Sequence, residues 1–193
     1  NGLADARNQL KEFESYKCTT KRAWISERRE LDTLLGNIQT KLKTYNLRSY
    51  VPPAGLAVSD MKSFWDGLVR AEAARKQGLT KFIRETKDAI KKQYANSAND
   101  FAQVLNEISA GLANVSGELE EQLQTAQSLQ KRANPLNLQI EGLKNLDAAC
   151  VEANIDDNEF TIYTVEDLLF DLQLLSISLS KKISFIENQL VAR

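Results

Sequence analysis

Residues 59–115, SDMKSFWDGLVRAEAARKQGLTKFIRETKDAIKKQYANSANDFAQVLNEISAGLANV, contain no proline and no cluster of turn residues, only the isolated Gly67, Gly78 and Gly111. Met61, Trp65 and Leu68 open an apolar stripe, and Leu79, Phe82, Ile83, Ile90 and Tyr94 continue it. Phe101, Leu105, Ile108, Leu112 and Val115 close it in steps of 4, 3, 4 and 3. That spacing turns one face of an α-helix toward its neighbours. At 1.5 Å per residue the helix would run about 85 Å, too long for a single compact domain of this chain. The pattern predicts a helix shared by two consecutive bundles, the last helix of one and the first of the next.

The flanking segments also read as helix. Of 193 residues 42% are apolar, enough for a core, and only 8 are Gly and 3 Pro. Leu, Ala, Gln, Glu and Lys, which lose little freedom in a helix, fill the long stretches. Upstream, Leu31, Leu35, Ile38, Leu42 and Tyr45 mark the end of an N-terminal helix that begins with Leu3, Leu10, Phe13 and Trp24. SYVPPAGLAVSD (49–60) breaks it, because Pro52 and Pro53 disfavour helix at themselves and at the residues before them. Ser59 is the expected N-cap of the long helix. Downstream, Leu119, Leu123 and Ala126, then Leu129, Leu136, Leu143 and Cys150 at intervals of seven, mark a helix over 118–153. Pro135 should bend it by removing a backbone donor. Cys150 lies on that stripe, as a small buried side chain rather than a reactive one. In the last segment Val165, Leu168, Leu172, Leu175, Leu179, Ile183, Ile186 and Leu190 form a seam. A second row, Leu169, Phe170, Leu174, Ile177 and Phe185, widens it beyond one two-helix contact. Thr164 followed by Asp167 is a variant capping box that starts this helix.

The chain has no histidine. That closes Ser-His-Asp, Cys-His and most zinc chemistry. The phosphate cradles GxxxxGK[ST] and GxGxxG do not occur, and adjacent carboxylates such as Glu120 and Glu121 sit on a polar helix face. These features describe a protein that is not an enzyme and takes no cofactor. DDNEFTIYTVED (156–167) has acids at its ends like a calcium loop. Such a loop needs oxygen ligands at positions 1, 3 and 5 and Gly at 6; counted from Asp156, Phe160 and Thr161 stand at the last two. The stretch therefore connects two helices, with Phe160 and Tyr163 available to pack against the bundle end. Cys18 and Cys150 show no disulfide pattern, no apolar run reaches the roughly 18 residues of a membrane span, and no signal peptide opens the chain. The expected location is the cytoplasm.

GELEEQ (117–122), DNEFTIYTVED (157–167) and ISFIENQLVAR (183–193) closely resemble the final spectrin-like repeat of the α-actinin rod. There G-x-L-E-[DE]-Q, D-N-x-x-T-x-Y-T and E-x-Q-[IL]-[LV]-x-R occur in that order. IQTKLKTYNLRSYVPPAGLAVSDMKSFWDGLVRAEAA (38–74) is similar to the first repeat of the same rod, including the Trp of its last helix at Trp65. The resemblance spans nearly the whole chain and implies an all-α fold of tandem three-helix spectrin repeats sharing one continuous helix. It implies a first repeat over 1–97 with helices 1–48 and 59–97, and a second over 98–193 with helices at about 98–115, 118–153 and 164–193. Family rods in animals carry four repeats, so the direct passage from first to last resembles the short rods of some protists. Leu172 stands where the family pattern has Trp, and Pro135 interrupts a helix usually free of proline. The first helix of the first repeat is missing from the pattern. The face bearing Leu10, Phe13 and Trp24 is therefore expected to be exposed, as in a trimmed or cleaved chain.

The resemblance further implies an antiparallel homodimer, the rod of an actin cross-linker in the actin cytoskeleton. Calponin-homology domains that bind filamentous actin and EF-hands that bind calcium would lie outside these residues. Charge is an independent pointer. Residues 1–97 hold 19 Lys+Arg against 11 Asp+Glu, a balance of +8, and residues 98–193 hold 6 against 15, a balance of −9. Antiparallel pairing sets each basic half beside an acidic one. Lys81, Arg84, Lys87, Lys91 and Lys92 on one side, and Glu120, Glu121, Asp156, Asp157 and Glu159 on the other, are the expected steering charges. Trp24, Leu35, Trp65, Leu68, Phe101, Leu105, Leu112, Leu143, Cys150, Leu168, Leu172, Leu175, Leu179, Ile183 and Ile186 are the expected bundle core or dimer seam. Interspersed acids and a pI of 5.7 disfavour nucleic acid as a partner. A helical adaptor, or a BAR-like curved dimer on anionic membrane, is the alternative.

Overall fold

A computed structural model describes residues 2–192. The helices are α1 (Gly2–Cys18), α2 (Thr20–Thr44), α3 (Val58–Ala113), α4 (Leu119–Ala133), α5 (Leu136–Glu152) and α6 (Val165–Val191), with no strand among the described residues. They form two compact units that divide after Glu85, so α3 contributes residues to both.

Local chemistry accounts for the ends. Helices α2 and α5 stop in the same way. Asn46 and Asn154 take left-handed φ of 55° and 57°, Leu47 N–H reaches the Leu42 carbonyl, and Ile155 N–H reaches that of Cys150. This is the Schellman ending, for which Asn is the usual substitute for Gly. The Gln39 side-chain amide then both donates to and accepts from the backbone of Tyr50, at 2.8 and 2.9 Å, tying the proline segment back to α2. Helix α3 starts at Val58, two residues earlier than Ser59 as N-cap would have it. The Asp60 carboxylate accepts from Ala57 N–H at 3.0 Å, the acid half of a capping box, and this satisfies the entry without Ser59. Thr164 caps α6 by accepting from Asp167 N–H at 3.2 Å. Two helices expected to be continuous are interrupted: the N-terminal one at Thr19, and 118–153 at Asn134 and Pro135. Asn134 and Pro135 keep right-handed helical dihedrals, so the missing proline N–H divides the ladder without turning the chain away.

The unit from Thr86 onward is a three-helix bundle. Asn99 of α3 bonds Phe160 and Thr161 just before α6, and farther along both helices Leu105–Leu112 share a groove with Asp171–Ser178, so α3 and α6 run in the same direction. Arg132 of α4 pairs with Glu107 of α3, and Leu143 and Leu146 of α5 lie beside Phe101 and Ser97, so α4 and α5 return antiparallel. Phe101, Ile108, Leu136, Leu168, Leu179 and Ile186 are fully buried. The Tyr94 hydroxyl donates to the Tyr163 carbonyl at 2.9 Å. Burial, with Asp147, Cys150 and Glu166 nearby, pushes its pKa up to about 12. Burial likewise pushes the Cys150 thiol up, leaving it protonated and inert. Pro135 leaves the seam intact: Leu136, Ile140 and Leu143 just beyond it are all in the core.

The unit up to Glu85 has two layers only. Helices α1 and α2 lie antiparallel to the first part of α3: Gly2 meets Phe82, Gln9 bonds Arg75, Tyr16 bonds Glu72, and Arg28 lies over the Trp65 ring. Its buried apolar residues are Leu3, Ala6 and Leu79; helix α2 buries none. Glu72 is the one buried charged group among the described residues. It accepts from the Tyr16 hydroxyl at 2.9 Å and from Lys21 Nζ at 2.5 Å.

Removing Ile108 atoms should open a cavity no neighbour can fill. Ile108→Ala is expected to cost about 2–5 kcal/mol in urea unfolding, and a loss under ~1 kcal/mol would contradict the packing described. Burial alone would raise the Glu72 carboxyl pKa, but the hydrogen bonds from Lys21 and Tyr16 and the Lys21 and Lys17 charges hold it below its ordinary value. A depressed carboxylate pKa stabilises the fold above the unfolded value and loses that contribution as pH falls through the folded one. The Tm advantage of wild type over Glu72→Gln should therefore be full near pH 6 and shrink below about pH 4.5; a gap that grows on acidification would refute it.

Candidate self-association surfaces

In the three-helix unit, α6 has two apolar faces, as its width in sequence suggests. Val165, Leu168, Leu172, Leu175, Leu179 and Ile186 point into the core, and Ile183 is half-buried. Leu172 fills the position where the family pattern has Trp and is buried. Of the second row Leu169 packs against the core and the rest is left outside: Phe170 is 59% exposed and Phe185 57%, with Leu174 and Ile177 also exposed. A shallow groove flanks the row on each side, one against Leu105, Ser109 and Leu112 of α3 and one against Asn137 and Ile140 of α5. Phe101, Leu105, Leu143 and Cys150 are buried core, and Leu112 is partly buried against it.

The connection between α5 and α6 is pinned to α3. The Asn99 amide donates to the Phe160 carbonyl at 3.1 Å and accepts from the Thr161 hydroxyl at 2.6 Å, while Asn158 donates to the Lys91 carbonyl at 2.9 Å. Lys92 lies over the Phe160 ring. Tyr163 packs against the core, but Ile162 is 86% exposed. Spacing offered no sign of Asn99, an exposed polar residue whose partners lie about 60 positions away. These ties also place residues 86–97 in the second unit, although the sequence reading sets the repeat boundary after residue 97.

The steering charges divide accordingly. Lys91 and Glu159, assigned to opposite partners from sequence, meet each other within one chain at 3.2 Å. The carboxyl of Glu159 is held below its ordinary value by a backbone hydrogen bond and by Lys91. Lys81 faces Glu85 and Lys92 faces Asp88, each at 3.9 Å. Arg84, Glu120, Glu121, Asp156 and Asp157 are exposed, and Lys87 is half-buried. Residues 1–85 carry a balance of +6 and residues 86–193 one of −7, so the opposition of charge follows the compact units.

In the two-layer unit, Trp24, Leu31, Leu34 and Ile38 are exposed along α2, and Phe64, at 77%, and Val69 along α3. The Trp24 ring meets the Tyr16 ring edge-on, centroids 5.8 Å apart. Leu35, Trp65 and Leu68 are half-buried, so none of the expected seam residues of this unit is in a closed core. Among the described residues no group of three or more acids or cysteines is placed to hold a metal, and no helix is long and apolar enough to cross a membrane.

Asn99→Ala should cost unit two about 1–2 kcal/mol by chemical unfolding, since the Phe160 carbonyl and Thr161 hydroxyl lose their partner. No loss would show that water replaces it.

No protein-family profile matches the chain. α-Actinin-like protein 1 of Schizosaccharomyces pombe is 34% identical over 193 residues, all of this chain and 31% of that protein. α-Actinin-3 of Mus musculus is 27% identical across the whole chain, which covers 22% of it. The spectrin β chain of Drosophila melanogaster is 33% identical over 88 residues, 45% of this chain and 4% of that one. The chain thus spans under a third of the length of these relatives.

Proposed function

We propose that this chain, whose homologues are α-actinin-like proteins and spectrin, is the dimerisation and spacer rod of an actin filament cross-linking protein, and that it works as an antiparallel homodimer. The observation that carries this reading is the pairing of two deficits. Each unit leaves an apolar row uncovered, on α2 and the start of α3 in one and on α6 in the other, and the units have opposite net charge. In an antiparallel pair the basic unit of one copy meets the acidic unit of the other. Apolar burial then supplies most of the affinity, and the summed field selects the orientation. Single exposed ion pairs count for little, roughly 0 to 1 kcal/mol each. Actin-binding heads carried on such a dimer would lie at opposite ends, spaced by two repeats. Trp24, Leu35, Trp65 and Leu68 are proposed seam residues, together with Ile183 at the margin of α6; Arg84, Glu120, Glu121, Asp156 and Asp157 are proposed to steer.

Light scattering on an eluting column should give twice the 21.7 kDa chain mass at micromolar concentration, and a strict monomer would end the proposal. Single cysteines at Gly2→Cys and Val191→Cys, on separate chains, should cross-link to each other. Gly2→Cys chains linking among themselves would instead mean parallel pairing. Charge screening should slow association more than it speeds dissociation.

A further inference from the structure

Helix α1 buries only Leu3 and Ala6, and α2 buries nothing: Ile25, Leu35 and Leu42 are half-buried, while Trp24, Leu31 and Ile38 stay exposed. With so little apolar surface enclosed against α3, packing alone discriminates weakly between registers. On α3 the facing stripe runs Trp65, Leu68, Glu72, Arg75, Leu79 and Phe82 in steps of 3, 4, 3, 4 and 3. Glu72 thus occupies a seam position, buried, with both carboxylate oxygens taken. Its two donors stand five residues apart. In an uninterrupted helix Tyr16 and Lys21 would project about 140° apart. The interruption falls between them, at Thr19, whose φ −117° and ψ −79° depart from helical values on the side that unwinds the turn. Unwinding is what brings position 21 toward the face of position 16.

We infer that the Tyr16–Glu72–Lys21 cluster is a register lock, and that the break at Thr19 is held open by it. A one-heptad slide in one direction would set Glu72 against Glu14; in the other it would replace the Tyr16 hydroxyl with the methyl of Ala23. Either leaves a buried carboxylate repelled or short of a donor, an asymmetry the apolar rows lack. A single polar group on an apolar seam specifies alignment in this way even where it adds no net stability. Thr19 has its own pull toward a bend, since its hydroxyl donates to the Ser15 carbonyl at 2.8 Å. The lock assigns the break to Glu72 instead.

Intrachain cross-linking of the full chain in a Cys18→Ser background tests this. Gln9→Cys with Arg75→Cys reports the native register, and Gln9→Cys with Leu68→Cys or with Phe82→Cys reports a slide of seven. The cross-linked monomer band should appear for the first pair only. Adding Glu72→Leu should raise the slid products by about tenfold or more without lowering the melting temperature. Should Glu72→Leu fail to fold, Glu72→Gln with Lys21→Met removes the charges at similar volume and must give the same slid products. A single native register in either folded variant overturns the lock. Carbon-13 shifts at position 19 decide the second half: the site should stay non-helical in Thr19→Ala and become helical in Glu72→Leu. The opposite pair of results would place the break in the Thr19 hydroxyl and overturn the assignment.

Discussion

Two antiparallel helices can cover only one side of each other. A third helix closes the triangle and removes the remaining apolar stripes from water, and most of what distinguishes the two units of this chain follows from whether that third helix is there. From Thr86 onward α3, the α4–α5 pair and α6 enclose Phe101, Ile108, Leu136, Leu168 and Leu179 with next to no exposure. Up to Glu85, α1 and α2 face α3 alone, and Trp24, Leu31, Leu34 and Phe64 remain in water. The same geometry explains why a charged group sits in the smaller unit's seam. Where apolar burial is thin, alignment has to come from directed bonds.

Exposure of large side chains is ordinary when scattered. Here it is ordered. Phe170, Leu174, Ile177 and Phe185 share one outward face of α6, opposite the face that fills the core. A helix with two apolar faces is built for two sets of neighbours, and within its own bundle it has one.

Much of this was legible in the sequence, and the rest was not for identifiable reasons. Heptad steps revealed α3 and α6 because burial imposes a period that composition records. The Thr164 cap was visible because it uses residues three apart. At Pro135 the missing donor was visible, but it suggested a bend in one continuous helix where the ladder is instead divided between α4 and α5. The start of α3 lies two residues before the place an N-cap at Ser59 implies, because Asp60, not Ser59, satisfies the entry. The Thr19 interruption left no mark at all: Thr is compatible with helix, and what unwinds the turn is a carboxylate more than fifty residues away. Asn99 was equally silent, since a polar residue on a helix surface looks the same whether it meets water or a distant loop. Long-range polar bonds have no period, and that also led Lys91 and Glu159 to be read as facing a partner when they face each other. Phe101, Leu105, Leu143, Leu168 and Leu179 are buried in the three-helix unit, whereas in the two-layer unit Trp24 is exposed and Leu35 and Trp65 are half-buried.

Both tryptophans of the chain, Trp24 and Trp65, belong to the two-layer unit, while the three-helix unit holds none. The molecule is thereby partitioned optically along the same line that partitions it structurally. Indole emission reports only the half whose apolar rows are open to solvent, with Trp65 beneath the Arg28 guanidinium and Trp24 facing water. The enclosed half is silent at those wavelengths. Whatever settles on or leaves the open half would shift the colour of the emission, and unfolding of the enclosed half would show itself elsewhere in the spectrum, in the environment of Tyr94 and Tyr163. The open half of one unbranched chain can therefore be watched by itself, with no label added, whereas tyrosine signals are shared, Tyr16, Tyr45 and Tyr50 lying in the open half and Tyr94 and Tyr163 in the enclosed one.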